Sequence, residues 1–462
     1  MIHVTASEHM DRAAAARLQA LTRNFPVTCK PSELGDEGVF ATNNLAADTV
    51  IFRDVPLAYL PEHAAADSFE CKSCGAFLGS NAERLAALDP RQPVKSQINL
   101  PQLDDEAACS SCGEDCQRPR VEVKTTDRSG WDQVQLAAQL VAHLVNSYTE
   151  IIDSKVLSSA WRSALDALYS PTWAEVCCDD DDDPKLAEKT LPAVVVALRA
   201  AGLRKASIEA ILPTSGSGRA RGLKLWSRCL GAIARNCIWV QIPSPLVFYL
   251  NSFGEALEDE AAPQHAECKA SLKRIAPIIE RLNAAQADGK RAREEGGDDE
   301  GPPRKRLRGD VAEEEEDADD EEEDDDSEEE GEEEEESDDE SSDESEESDG
   351  EEEVQFEWAV PIGTGATTKR LSFSSSLFPA HKGTALYPLQ SKVNHSCSPN
   401  CFLLWNRDST VQLVAMEEIP KGTELTINYL GDKSDAYSGA RRRRWLRENY
   451  GFDCACVACR SE

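Results

Sequence analysis

No stretch of this chain is apolar for long enough to cross a membrane. The segment Met1 to Leu21 also lacks the apolar core of a secretory signal, because Glu8, Asp11, Arg12 and Arg17 are scattered among its alanines. These absences predict a soluble, intracellular protein. An even charge distribution is missing too. The net charge of −37 comes from one run: the 33 acidic residues between Asp310 and Glu353 leave 53 acids against 49 bases elsewhere, a net of −4. The folded part is therefore expected to be close to neutral. Five successive aspartates, Asp179 to Asp183, lack the alternating spacing of a calcium loop and are expected to be a solvated connection.

What the chain does have is sixteen cysteines, which in a reducing compartment point to metal ligands and buried thiols more than to disulfides. Cys454, Cys456 and Cys459 form C-x-C-x2-C. Three thiols this close cannot pair among themselves without strain, yet they suit three corners of a tetrahedral zinc site. Cys397, in the element Asn394-His395-Ser396-Cys397, is the obvious fourth donor. Such a site would pin the C-terminal segment against Asn394 and His395.

At 462 residues the chain has room for two or three domains. Strands are expected within 27–60, helices from Trp131 to about Ala201, and a short buried strand at Cys237 to Ile242. From about Gln286 to Gln355 the sequence is poor in apolar residues and dense in like charge, which predicts a disordered insert. Order is expected to resume at Phe356, with strands at Arg370 to Phe378, Phe402 to Trp405, Thr410 to Ala415 and Glu424 to Tyr429, then a short helix at Ala440 to Glu448.

Several segments carry a resemblance. They are Gly38-Val39-Phe40-Ala41-Thr42, the run Phe52 to Tyr59, Asn236, Leu386-Tyr387-Pro388, and Asn394-His395-Ser396-Cys397-x-Pro399-Asn400. Gly422-x-Glu424-Leu425-x-Ile427-x-Tyr429 and Tyr450-x-Phe452-x-Cys454-x-Cys456-x2-Cys459 complete the set. Together they resemble SET-domain protein-lysine methyltransferases, and within these the SMYD (SET and MYND) family, closest to its divergent fifth-member type. The resemblance covers roughly a third of the chain. It implies an α+β architecture: an irregular β SET fold with a pseudoknot, split by a small zinc-binding MYND-like insert and a helical insert, with a post-SET zinc segment and a disordered acidic insert. The corresponding divisions are 25–62 and 231–245 for the SET N-terminal part and core segment, 63–125 for the MYND-like region, and 126–230 and 246–285 for helical inserts. The acidic insert is 286–355, the SET C-terminal core 356–435 and the post-SET segment 436–462.

The resemblance further implies methyl transfer from S-adenosylmethionine to a protein lysine. Tyr429 is then the catalytic residue, and Gly38, Asn236, Asn394, His395, Tyr450 and Phe452 bind the cofactor. Zinc would be held at Cys397, Cys454, Cys456 and Cys459. A second zinc is expected at Cys71, Cys74, Cys109 and Cys112, with Cys116 as an alternative ligand. No histidine lies between Cys71 and Trp131, so a two-zinc module with eight ligands cannot form there. The glycines Gly35 and Gly38 are spaced more widely than the family usually has them, and Gly38 is preferred as the cofactor contact. The sequence stops at Glu462, so the helical C-terminal domain of most of the family is not expected.

A basic protein substrate is the expected partner, a histone tail or a ribosomal protein, attracted through the acidic run. No membrane contact and no direct nucleic-acid binding are expected, and the chain is expected to be a monomer. Lys290-Arg291 and Arg304 to Arg308 resemble a bipartite nuclear import signal, so the expected location is nucleus, cytoplasm or both. The competing expectation is a catalytically weak SET scaffold that binds histones through its acidic insert. Intact Asn394, His395 and Tyr429 favour the enzyme.

Overall fold

The computed structural model describes residues 19–35, 37–62, 71, 74–78, 80–88, 100–101, 121–124, 131–147, 165, 168, 170–176, 183–295, 354–361, 368–431 and 437–460. Cys109, Cys112, Cys116, the basic cluster at 304–308 and the acidic run at 310–353 lie outside these residues.

The strands are short and form several small sheets. β1 (Val27–Pro31), β2 (Glu37–Ala41), β3 (Val50–Asp54) and β4 (Ala58–Pro61) come first. Later in the chain come β5 (Ile238–Ile242), β6 (Gln355–Pro361), β7 (Thr368–Ser374) and β8 (His381–Leu386). The last four are β9 (Asn394–His395), β10 (Cys401–Trp405), β11 (Val411–Ala415) and β12 (Glu424–Ile427). Sheet orders are β1-β2-β12-β9, β10-β11-β3, β4-β8-β5 and the hairpin β6-β7.

Three of these sheets join strands from opposite ends of the sequence. Leu425 pairs with Val39, Val411 with Asp54, and Ala385 with both Tyr59 and Ile238. β2 and β11 are interior strands and β2 is apolar almost throughout, so both are buried nearly end to end. Their core contains Val39, Phe52, Leu413, Leu425 and Ile427.

The helical layer is built on α1 (Trp131–Ser147), α2 (Leu186–Ala200) and α3 (Arg219–Asn236). Leu136, Leu140, Val141 and Leu144 of α1 recur at helical spacing and meet Trp226, Leu230 and Ile233 of α3 in one core. α4 (Pro245–Glu258) begins on the Ser244 cap with proline in its first turn, and it packs on α5 (His265–Glu295) and the β6-β7 hairpin.

Two expectations need adjustment. α5 runs to Glu295, ten residues into the segment read as a disordered insert. The stretch there is poor in apolar residues but rich in Ala, Lys, Arg and Glu, which favour a helix that has already been nucleated. Hydrogen bonds from Asn283 to the Ser372 carbonyl and from Gln286 to Ser376 tie this helix to the hairpin. The final strand ends at Ile427 rather than Tyr429, because Asn428 turns the chain by accepting from the Leu430 amide and donating to the Gly431 carbonyl. The last longer helix, α6 (Gly439–Tyr450), starts on a Ser438 cap and ends on Gly451, whose φ of 78° gives the left-handed C-cap that favours glycine.

Candidate active site

β9 lies parallel to β12 and pairs Asn394 with Thr426 and His395 with Ile427. The Ser396 amide continues the ladder to the Ile427 carbonyl at 3.0 Å. Asn400 donates to the Glu424 carbonyl and accepts from the Thr426 amide, closing the chain back on β12. The segment 394–400 is therefore tied to β12 at both of its ends.

His395 is buried within this crossing. Its Nδ1 accepts from the Tyr429 amide at 3.0 Å, so the other nitrogen, Nε2, carries the proton and lies 3.3 Å from Cys397 Sγ. Burial, with the Arg442 guanidinium adding to it, pushes the imidazole down to about 4, so it is neutral at physiological pH. The Tyr429 hydroxyl donates to the Val393 carbonyl at 2.6 Å. Tyr429 is thus fixed at its amide and at its hydroxyl to the segment carrying Asn394. Burial, then Tyr450 and Glu424, holds the phenol well above its usual range, so Tyr429 is not a general base at neutral pH. Its hydrogen is committed to Val393, leaving oxygen lone pairs to accept.

The ring centroids of Tyr429 and Tyr450 are 4.8 Å apart, and Phe452 meets Tyr429 edge-on at 6.3 Å and His395 at 6.2 Å. Tyr450 and Phe452 reach this place because α6 ends at Gly451. Arg235 of α3 donates to the Asn449 carbonyl at 3.2 Å, and burial together with the neighbouring Cys237 thiol raises Tyr450 to about 12. Asn236, the last residue of α3, is buried, and its amide nitrogen donates to the Ala232 carbonyl.

Behind the aromatic cluster, the Sγ atoms of Cys397, Cys454, Cys456 and Cys459 all lie within 4.8 Å of one another. Cys397 Sγ is 3.5 Å from Cys459 Sγ and 4.0 Å from Cys454 Sγ. Tetrahedral zinc bonded to sulfur at about 2.3 Å requires neighbouring sulfurs about 3.8 Å apart, so the donor set fits that ion. Burial opposes ionisation of Cys456, but hydrogen bonds from the Cys459 and Cys397 amides draw its thiol down to about 6, ready to act as a thiolate ligand. Arg443 of α6 donates to the Cys459 carbonyl at 2.9 Å and holds the end of the loop.

Asn394 faces the first hairpin. Its Nδ2 donates to the Glu37 carbonyl at 3.0 Å and to Glu424 Oε1 at 2.7 Å. A Cβ on Gly35 would lie 2.9 Å from Asn394 Oδ1, and one on Gly38 would lie 2.1 Å from Glu424 Oε1. Both glycines therefore border Asn394, Gly35 beside its oxygen and Gly38 beside its nitrogen. The wide spacing hid this, because the turn folds the two glycines onto the same carboxamide. Glu424 and Ser32 were missed as site residues, although Glu424 sits inside a motif read for its tyrosine.

Of the expected second metal set, Cys71 and Cys74 are described, both buried, in a tight turn. The Cys74 and Gly75 amides donate to the Cys71 carbonyl at 3.2 and 2.7 Å, and Gly75 has a φ of 71°.

The family model of the SET domain matches residues 36–430. The chain belongs to the SET-domain family. This SET protein is 41% identical over 80 residues to histone-lysine N-methyltransferase SMYD3 of Mus musculus, covering 17% of this chain and 18% of that one. It is 38% identical over 86 residues to a SET and MYND domain-containing protein of Dictyostelium discoideum, covering 19% and 24%. With protein-lysine N-trimethyltransferase SMYD5 of Mus musculus the identity is 39% over 82 residues, covering 18% and 20%. The SET protein thus matches about a fifth of the length of these curated relatives. Its mixed α and β elements in several small sheets accord with the family fold, and among the described residues no helix is long and apolar enough to cross a membrane.

Proposed function

We propose that the protein is an S-adenosylmethionine-dependent protein-lysine N-methyltransferase acting on a basic protein substrate, a histone or a ribosomal or other non-histone protein. The observation that carries the reading is the convergence of Asn394, His395, Tyr429, Tyr450 and Phe452 beside a four-thiol cluster on a SET scaffold. Partial relatives named as histone-lysine and protein-lysine methyltransferases support a lysine acceptor.

The cofactor supplies an activated methyl group. Gly38, Asn236, Asn394 and His395 would hold it, with Tyr450 and Phe452 at its edge. The fit rests on Asn394 Oδ1, which has no donor among the described residues. Lysine must lose its proton before its nitrogen can attack, and an aromatic, partly buried channel disfavours the ammonium. Tyr429, with its hydroxyl hydrogen spent on Val393, accepts from the amine N–H and so orients the nitrogen lone pair. No side chain becomes a nucleophile.

Zinc at Cys397, Cys454, Cys456 and Cys459 would lock the crossing of 393–400 and 424–430, which is the pseudoknot of this reading. A second zinc at Cys71, Cys74, Cys109 and Cys112 is supported at its first two ligands by the buried Cys71 to Cys74 turn. Nucleus, cytoplasm or both is the location that fits a substrate of this kind.

The test is incubation of the purified protein with methyl-labelled S-adenosylmethionine and separate histone and ribosomal protein pools, followed by mapping of the label. Label on a lysine in either pool is expected. No label in either pool, and no cofactor binding, would overturn the reading in favour of a binding scaffold.

A further inference from the structure

Glu424 opens β12 and is the meeting point of three segments that are remote in sequence. Both of its carboxylate oxygens accept from Ser32 Oγ, at 2.7 and 2.8 Å, across a separation of 392 residues. Oε1 also accepts from Asn394 Nδ2 at 2.7 Å. Its backbone carbonyl accepts from Asn400 at 2.8 Å, and the residue is in register with Phe40 of β2. A Cβ on Gly38 would stand 2.1 Å from the carboxylate, so a side chain there would push Glu424 out of this position.

This arrangement fixes which way the Asn394 carboxamide points. Its nitrogen is the atom facing two acceptors, the Glu37 carbonyl and Glu424 Oε1, so the opposite orientation would set its oxygen against both of them. Oδ1 is therefore turned to the Gly35 side as an acceptor, with no donor among the described residues. A carboxylate accepting several hydrogen bonds is a stiffer anchor than a neutral group, since charge-assisted bonds are roughly twice as strong. Lys392, paired with Glu37 at 2.9 Å, steadies the strand that supplies the other acceptor.

We propose that Glu424, anchored by Ser32, is a positioning residue that locks the Asn394 carboxamide with Oδ1 presented as an acceptor to a hydrogen-bond donor of the bound cofactor. This rests on the function proposed above and deepens it. Glu424 acts through Asn394 and does not itself reach the reacting atoms. Because S-adenosylhomocysteine carries the same hydrogen-bond donors but no sulfonium charge, a positioning role weakens both ligands together. A role as counter-charge to the sulfonium would weaken S-adenosylmethionine alone.

The experiment is isothermal titration of the zinc-loaded 462-residue chain with S-adenosylmethionine and, separately, S-adenosylhomocysteine, using wild type, Glu424→Ala, Glu424→Gln and Ser32→Ala. Thermal melting and zinc content are measured on each. Glu424→Ala is expected to weaken both ligands at least tenfold. Glu424→Gln, whose Oε1 can still accept from Asn394, should recover to about threefold weaker than wild type. Ser32→Ala should fall between wild type and Glu424→Ala, and it decides the matter if Glu424→Ala does not fold. Wild-type affinity for both ligands in Glu424→Ala, or in Ser32→Ala in that event, overturns the positioning role and leaves the proposed function standing. Loss for S-adenosylmethionine alone, or equal loss in the Ala and Gln variants, also overturns it. A wild-type protein that binds neither ligand overturns this inference and the proposed function together.

Discussion

Replacing Tyr429 with phenylalanine separates what the hydroxyl does for the fold from what it does for the chemistry. In the fold it donates one 2.6 Å bond to the carbonyl of Val393, a residue with no exposed surface. Removing the donor leaves that carbonyl short of a partner, which costs about 1–3 kcal/mol. For a cooperative unit of about 150–250 residues each kcal/mol moves Tm by roughly 2–4 °C, so a drop of a few degrees is expected in a thermal melt. The ring stays, and with it the contacts to Tyr450, Phe452 and His395, while the Tyr429 amide keeps its bond to His395 Nδ1. Cofactor affinity by calorimetry should therefore change by less than about threefold, since no binding group is lost. Transfer to a substrate peptide should fall about a hundredfold or more, the order seen when one preorganised hydrogen-bonding group is removed from a reacting centre. The fall should appear in kcat rather than in the KM for cofactor. Full turnover in Tyr429→Phe with intact zinc would refute the role given to the hydroxyl. A parallel loss of cofactor binding and turnover would assign Tyr429 to structure instead.

Metal content should be two zinc ions per chain, and Cys456→Ser should lose one of them together with much of the thermal stability and of cofactor binding; one zinc in wild type, by elemental analysis, would remove the Cys71 to Cys112 assignment, and a count of three would reveal another site. Asp54 gives a pH test: burial raises its carboxyl from 3.8 to about 6 despite the Gln390 and Leu389 amides that donate to it, so the folded state holds its proton more tightly than the unfolded one. The ionised group therefore costs stability above pH 6, and the cost disappears as pH falls through 6 towards 4. Wild type should lag Asp54→Asn by roughly 1–3 kcal/mol at pH 8 in urea melts, keep about half of that lag at pH 5, and draw level only below about pH 4; a difference independent of pH would refute it. Deleting 310–353 should leave cofactor affinity and turnover of a short peptide unchanged, while turnover of an intact basic protein falls at low salt and converges with wild type at high salt, because exposed charges are screened within about 10 Å at 0.1 M. Equal loss on peptide and protein at every salt concentration would instead tie the acidic run to the fold.

The site was legible in the sequence wherever its chemistry lay in local spacing. Cys454, Cys456 and Cys459 fall within six residues, and adding Cys397 as the fourth donor anticipated sulfurs that do converge within 4.8 Å. Asn394, His395 and Tyr429 were named from motifs; the structure brings His395 and Tyr429 into one cluster with Tyr450 and Phe452, while the Asn394 side chain faces Glu37 and Glu424. Helix α5 was misjudged past Gln286 because apolar content measures what a segment can bury, whereas this helix is continued by helix-forming residues from an end that is already packed.

By itself the sequence determined the residue types, the thiol spacing, the near-neutral balance outside the acidic run and the short strands that suit a SET scaffold. Only the tertiary structure decided that Ser32 and Glu424 meet, that Gly35 and Gly38 both border Asn394, and that Arg235 ties α3 to Asn449. The reason is that a motif records neighbours along the chain. These contacts depend on antiparallel pairing of β2 with β12 and on parallel pairing of β12 with β9, whose registers are set by which faces are buried. The orientation of the Asn394 carboxamide follows from acceptors contributed by both of those pairings, and no local pattern encodes it.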